Sequence, residues 1–159
     1  MRAVVVTVSD RVSQGVAEDQ SGPAAVAKLA EFGIGDAGLR VIADGVESVR
    51  QLLDELVADH DLIVTTGGTG FSPRDLTPEA TRLVIDREAP GLAEAMRAAT
   101  FGKFPHGMLS RGVAGIAGAT LIVNLPGSVK AVEESLDIVG PALSHGVELL
   151  IRGQSDHNM

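Results

Sequence analysis

Leu62-Ile63-Val64-Thr65-Thr66-Gly67-Gly68-Thr69-Gly70, continuing as Phe71-Ser72-Pro73-Arg74-Asp75-Leu76-Thr77-Pro78-Glu79-Ala80-Thr81, passes from a buried strand through a glycine turn into a helix. The apolar, β-branched run from Leu62 to Thr66 reads as a strand covered on both faces. Thr77-Pro78 opens the helix, with proline suited to its first turn. Between them Gly67, Gly68 and Gly70 can take positive φ angles and let a ligand approach the main chain closely. Consecutive amides in such a turn form an anion nest, and the hydroxyls of Thr66 and Thr69 add donors. Strand, turn and helix in that order predict a phosphate-binding edge on an α/β sheet.

Outward from this stretch the same alternation repeats. Residues 3 to 9 read as a buried strand, and Ser21-Gly22-Pro23 starts a helix carrying Val26, Leu29, Ala30 and Phe32. Leu39 to Ala43 is a short strand, and Val49, Leu52, Leu53, Leu56 and Val57 make an amphipathic helix. After Thr77 the helical pattern runs to about Arg87 and resumes from Gly91 to Thr100, and Phe101 to Ser110 reads as a loop. Val113 to Ile116 and Ala119 to Leu125 form a hairpin around Ala117-Gly118. The last helix begins at Ser128 and is expected to be disturbed at Gly140-Pro141. The prediction is a three-layer α/β sandwich with a mostly parallel central sheet and one hairpin, a single domain over residues 1–152, and a frayed polar tail at 153–159.

Composition narrows the function classes. The 159 residues are 45% hydrophobic and 21% charged, ordinary for a soluble globular domain. No cysteine is present, which removes disulfides, thiolate catalysis and zinc–sulfur sites and fits a reducing cytoplasm. The start of the chain offers no signal-peptide h-region, and no apolar run reaches membrane-spanning length, so no membrane association is expected. A net charge of −8 argues against nucleic acid as a partner. It also requires that any bound phosphate be held by amides, a few arginines or a cation. Gly33-Ile34-Gly35-Asp36-Ala37-Gly38 spells a dinucleotide fingerprint but follows a helix and precedes a strand, the reverse of what that motif needs. It reads instead as a helix C-cap and turn. No P-loop motif occurs, and the four histidines show no ligand spacing.

In open α/β sheets ligands bind beyond the carboxyl ends of the strands. Here those ends carry Ser9-Asp10-Arg11, Asp44, Thr66-Gly67-Gly68-Thr69-Gly70 and Asn124-Leu125-Pro126-Gly127-Ser128. Pro126-Gly127-Ser128 sets a helix N-terminus at the same edge, where free amides favour anions; Ser128 is also a candidate N-cap. Asp44 and Asp75 each have two readings. Asp44-Gly45-Val46-Glu47 fits a capping box, and Asp75 can pair with Arg74 or cap local amides. Alternatively, two carboxylates beside a phosphate site suit magnesium, which prefers few protein oxygens together with phosphate oxygens. Lys103 and Ser110-Arg111 lie where a second anionic group can be reached, although each taken singly reads as a solvated surface charge.

The run from Thr65 to Thr81 strongly resembles the molybdopterin adenylyltransferases, of the bacterial MogA type and of the G domains of gephyrin and its plant counterpart. Further blocks of that family appear in order: Thr7-Val8-Ser9-Asp10, Asp19-Gln20-Ser21-Gly22-Pro23, Arg87-Glu88-Ala89-Pro90-Gly91, Met108-Leu109-Ser110-Arg111 and Asn124-Leu125-Pro126-Gly127-Ser128. Ala43 stands where these relatives often have proline. The resemblance implies transfer of AMP from magnesium-ATP to the terminal phosphate of molybdopterin, releasing pyrophosphate. It implies Asp44 and Asp75 as catalytic residues and magnesium ligands. Substrate binding would fall to Ser9, Asp10, Thr66, Gly67, Gly68, Thr69, Gly70, Ser110, Pro126, Gly127 and Ser128. It further implies a cytoplasmic homo-oligomer, a trimer or a hexamer, acting beside a molybdenum insertase. The MoaB type shares the fold, so the alternative is a molybdopterin carrier or scaffold without appreciable catalysis.

Overall fold

The computed structural model describes residues 1–157. Its six-stranded sheet has the order β2-β1-β3-β6-β5-β4, formed by β1 (Ala3–Val8), β2 (Gly38–Ile42), β3 (Leu62–Thr66), β4 (Arg87–Glu88), β5 (Ala114–Ala117) and β6 (Thr120–Leu125). β2, β1, β3 and β6 run parallel, while β5 is antiparallel to both of its neighbours. The three-layer α/β architecture expected from the sequence is the one observed.

Alternation along the strands sorts the core into two layers. Ala3, Val5, Leu62, Val64, Leu121 and Val123 face α2 (Ser21–Glu31) and α6 (Val129–His157). Val4, Val6, Val8, Ile63 and Ile122 face α3 (Val46–Val57) and the helix α4 (Thr77–Val84). This is why β1, β3 and β6 carry unbroken apolar runs: both faces are covered. The chain leaves β1 for β2 through α2 and returns to β3 on the other side of β1 through α3. Right-handed crossovers in opposite directions place those helices on opposite faces. The order therefore reverses between β1 and β3, and a crevice opens at their carboxyl ends.

Several local expectations are corrected. A four-residue helix α1 (Asp10–Ser13) follows β1 directly. The helix from Thr77 stops at Val84, and Arg87–Glu88 instead pairs with β5 as a two-residue edge strand. The helix expected from Gly91 is α5 (Pro90–Thr100), and the expected loop contains a 3-10 turn at Pro105–Leu109. α6 continues through Gly140-Pro141 without interruption and passes Gly153 to reach His157; residues 158 and 159, at the end of the expected tail, lie outside the described residues. An interior proline costs about 3 kcal/mol. Here Leu136, Val139, Leu143 and Val147 stay buried on one stripe across the proline, which offsets that cost. Gly140 admits the ring of Phe32, since a Cβ there would lie 2.5 Å from it. Among the described residues no helix is long and apolar enough to cross a membrane.

Candidate functional site

The glycine turn is where the ends of three strands meet. Gly67 donates its N–H to the carbonyl of Leu125 at 3.1 Å, locking β3's exit to that of β6. Gly67 and Gly68 take φ values of 90° and 68°, whereas Gly70, expected to share that conformation, does not take a positive φ. A Cβ on Gly67 would overlap the carbonyl oxygen of Val8, so only glycine fits between β1 and β6. Thr77 holds the turn from its far side. Its N–H donates to the Gly68 carbonyl (3.1 Å) and its hydroxyl to the Gly67 carbonyl (3.0 Å). The carbonyls of the turn are thus spoken for on the α4 side. Among the described residues no acceptor meets the N–H of Gly68, Thr69 or Gly70.

These amides border a cleft of about 730 Å³, lined also by Asp75, Ser110, Asn124 and Pro126–Ser128. Its opposite wall comes from α5, the 3-10 turn and α6, through Arg97, Thr100, Lys103, Phe104, Lys130 and Glu134. Because β5 is antiparallel, the segment before it is delivered to the carboxyl ends of the parallel strands, which places Ser110 and Arg111 at the site. Phe104 stacks edge-on against His106, with the Lys130 ammonium 5.8 Å from the Phe104 ring centre. The sequence reading passed over Arg97, Thr100, Phe104 and Lys130. Buried Ala93 followed at helical spacing by Arg97 and Thr100 was the available signal: a polar stripe continuing an inward face.

A second, smaller cavity of about 400 Å³ is lined by Thr7, Ser9, Asp19, Ser21 and Thr66. Gly67, Gly127 and Ser128 border both cavities. Ser9 therefore faces the smaller cavity, as does Thr66, whose hydroxyl is shared with that of Ser21 at 2.8 Å rather than offered to the glycine turn. Ser9 caps α1 by accepting the N–H of Val12, and Ser128 caps α6 by accepting the N–H of Ala131. Asn124 accepts the N–H of Val113 and donates to the hydroxyls of Thr65 and Thr81, so it braces β6, β3 and α4 beneath the turn.

The two aspartates converge; Asp75 caps a local amide, one of its two local readings, whereas Asp44 departs from its own. Asp44 does not cap α3, whose N-cap is Gly45 with no side-chain bond. Its Oδ2 instead accepts the N–H of Asp10 at 2.9 Å, and its own N–H donates to Asp10 Oδ1 at 3.2 Å. Its Oδ1 faces the turn, 3.1 Å from where a Cβ on Gly68 would sit. Asp75 Oδ2 accepts the N–H of Ser72 at 3.0 Å and also lies against Gly70. Arg74 does not pair with its neighbour Asp75; it forks onto Asp10. Burial pushes the Asp44 carboxyl above its ordinary range; the Asp10 and Asp75 carboxylates add to the rise, while the Asp10 amide and Arg74 oppose it. Asp10 is held below the usual range, chiefly by its bonds from Arg74. Among the described residues no three His, Cys, Asp or Glu side chains are grouped to enclose a metal ion.

Comparison with known proteins accords with this geometry. The family described as "Probable molybdopterin binding domain" matches residues 4–145. The molybdopterin adenylyltransferase of Helicobacter pylori strain J99 is 40% identical, covering 92% of this chain and 86% of its own. Gephyrin from Dictyostelium discoideum is 44% identical over 92% of this chain, which spans only 22% of that protein. Among solved structures, a MogA superposes with a TM-score of 0.88 at 43% identity, covering 94% of this chain and 99% of its own. The MoaB of Thermus thermophilus gives 0.86 at 45% identity, covering 94% and 95%. The match across nearly the whole sheet, with the glycine turn and strand-end residues inside it, shows that this chain belongs to the molybdopterin-binding domain family.

Proposed function

We propose that this protein transfers AMP from ATP to the terminal phosphate of molybdopterin, a step of molybdenum cofactor biosynthesis, and releases pyrophosphate. One observation carries the reading: three consecutive amides at Gly68–Gly70, without acceptors among the described residues, open onto a cleft that also receives Asp75, with an oxygen of Asp44 against the same turn. Relatives named as molybdopterin adenylyltransferases, about 40% identical over most of their length, support it.

The reaction needs no strong base. An oxygen of the pterin phosphate, already an anion, forms a bond to the α-phosphorus of ATP. The bond from that phosphorus to the bridging oxygen breaks, and its electron pair leaves with pyrophosphate. Catalysis is then a matter of alignment and charge. The amides of Gly68–Gly70 bind phosphate oxygens, and the α6 N-terminus at Gly127-Ser128 presents a second set of donors. The donor chemistry fits magnesium: Asp44 Oδ1 and Asp75 would hold it as hard oxygen ligands from separate loops, and burial together with nearby carboxylates favours a positive partner for Asp44. When bound, magnesium neutralises phosphate charge in an otherwise acidic protein. We further infer a cytoplasmic homo-oligomer, most simply a trimer, working next to a molybdenum insertase.

The test is incubation of the purified protein with molybdopterin and magnesium-ATP, with chromatographic detection of adenylylated pterin and pyrophosphate. The expected result is stoichiometric formation of both. Tight pterin binding with no turnover would overturn the enzyme reading and favour a carrier.

A further inference from the structure

We propose that Arg74 and Arg111 are positioning residues: each, paired with its own carboxylate, forms a clasp that fixes the main chain of one of the two site aspartates. Arg74 donates from Nε to Asp10 Oδ2 (3.0 Å) and from Nη2 to Asp10 Oδ1 (2.9 Å), and the same Nη2 reaches the Asp44 carbonyl at 2.7 Å. Asp10 and Asp44 then exchange main-chain N–H bonds with each other's carboxylates. Both oxygens of Asp10 are thereby occupied. Of the four carboxylate oxygens on Asp10 and Asp44, only Asp44 Oδ1 lacks a partner among the described residues, and it faces the glycine turn.

Arg111 repeats the arrangement on the other side. It donates from Nε to the Gly70 carbonyl (2.9 Å) and from Nη2 to the Asp75 carbonyl (2.5 Å), while its Nη1 pairs with Glu79. Its N–H also donates to the Thr69 carbonyl at 2.8 Å. Asp75 is thus anchored through its backbone, with one carboxylate oxygen on Ser72 and the other without a partner among the described residues.

Two physical points separate positioning from substrate binding. A guanidinium bidentate to a carboxylate has spent its charge and its fork, so neither arginine is a free anion receptor. The side chains are also partly exposed, Arg74 at 59% and Asp10 at 30%, and exposed ion pairs add little to stability. Their consequence lies in geometry: a displacement of about 1 Å at such a site can cost on the order of 100-fold in rate.

The proposal rests on the adenylyl-transfer reading, and its test is arranged so the two fail separately. The variants are Arg74→Gln, Asp10→Asn, Arg111→Gln and Glu79→Gln, plus the double variants within each clasp, in the full chain. Each single variant is expected to lower kcat by roughly 10- to 100-fold while KM for ATP and for molybdopterin stays within about 3-fold. The two members of a clasp should act as one unit, so Asp10→Asn with Arg74→Gln is no worse than either alone. Binding of Mn²⁺ as a magnesium stand-in, followed by electron paramagnetic resonance without substrates, should weaken several-fold in every variant. Melting temperatures should stay near that of the parent, and the isosteric Asp10→Asn and Glu79→Gln cover the case in which an arginine variant does not fold. A rise in KM with kcat unchanged in the arginine variants, or tighter substrate binding when Asp10 or Glu79 releases its arginine, overturns the proposal. If the parent protein shows no turnover, the adenylyl-transfer reading fails, and Mn²⁺ affinity decides the clasps alone: unchanged affinity overturns them.

Discussion

The two walls of the main cleft are held by different means. On the glycine-turn side the cleft-facing groups are chiefly main-chain amides. Their position follows from positive-φ glycines, from Thr77 behind them and from Asn124 beneath. On the α5–α6 side they are side chains: Lys103, Phe104 and Lys130 project from a helix and from the segment around the 3-10 turn, and Phe104 is 44% exposed. A backbone wall cannot be altered without altering the fold, whereas a side-chain wall can change its contacts while the sheet stays as it is. The first is suited to holding phosphate, the part common to many ligands. The second is suited to telling one ligand from another.

Gly67→Ala should have the largest effect. Its Cβ meets the fixed Val8 carbonyl at a φ that L-residues avoid, so a loss of about 2–4 kcal/mol in denaturant melts and over 100-fold in turnover is expected. Asp75→Asn comes next. Turnover should fall about 100-fold or more while molybdopterin affinity, measured by fluorescence titration, stays within about 3-fold; equal losses in both would make Asp75 a binding residue. Asn124→Ala strands the N–H of Val113 and takes the amide donor from two buried hydroxyls, of which that of Thr81 keeps its bond to the Thr77 carbonyl; it should cost about 2–4 kcal/mol in urea unfolding. On the other wall, Phe104→Ala should cost under about 1 kcal/mol, since it gives up little beyond partly exposed ring contacts with His106 and Lys130. Its expected signature is a several-fold rise in KM for the pterin; a loss of stability matching that of Asn124→Ala would erase the contrast between the walls.

The smallest effect concerns pH. Glu79 is held below the ordinary carboxylate range, chiefly by its bond from Arg111. Its contribution to stability is therefore complete above about pH 4.3, the unfolded value, and is lost as pH falls through the lowered folded value. Melting temperature should decline below that point, and less steeply in Glu79→Gln.

How much of this was legible in the sequence depended on range. β1, β3 and α3 announced themselves because burial on two faces, or on one helical stripe, is written in consecutive residues. The glycine turn was legible for the same reason, since its φ demands are local. What failed were readings whose deciding partner lies far along the chain. Asp44 looked like a helix cap until Asp10, 34 residues earlier, supplied its N–H. Arg111 looked like a surface charge because its partners, Gly70, Asp75 and Glu79, are brought to it only by the antiparallel course of β5. Arg87–Glu88 carries no strand signal of its own and pairs because β5 leaves an edge open beside it. Pro141 was read by its local penalty, but the buried stripe on either side of it prevails.

One close approach has a wider meaning. A Cβ on Gly127 would lie 3.2 Å from the Cα of Gly67, and both residues border the large cavity and the small one. The partition between the two chambers is, at that point, only two bare main chains thick. Guests seated on opposite sides would be near neighbours, separated there by main chain alone. A side chain at Gly127 would press into that partition, whereas one at Gly67 would meet the Val8 carbonyl instead. The two chambers therefore share one wall, and at its thinnest that wall is main chain alone.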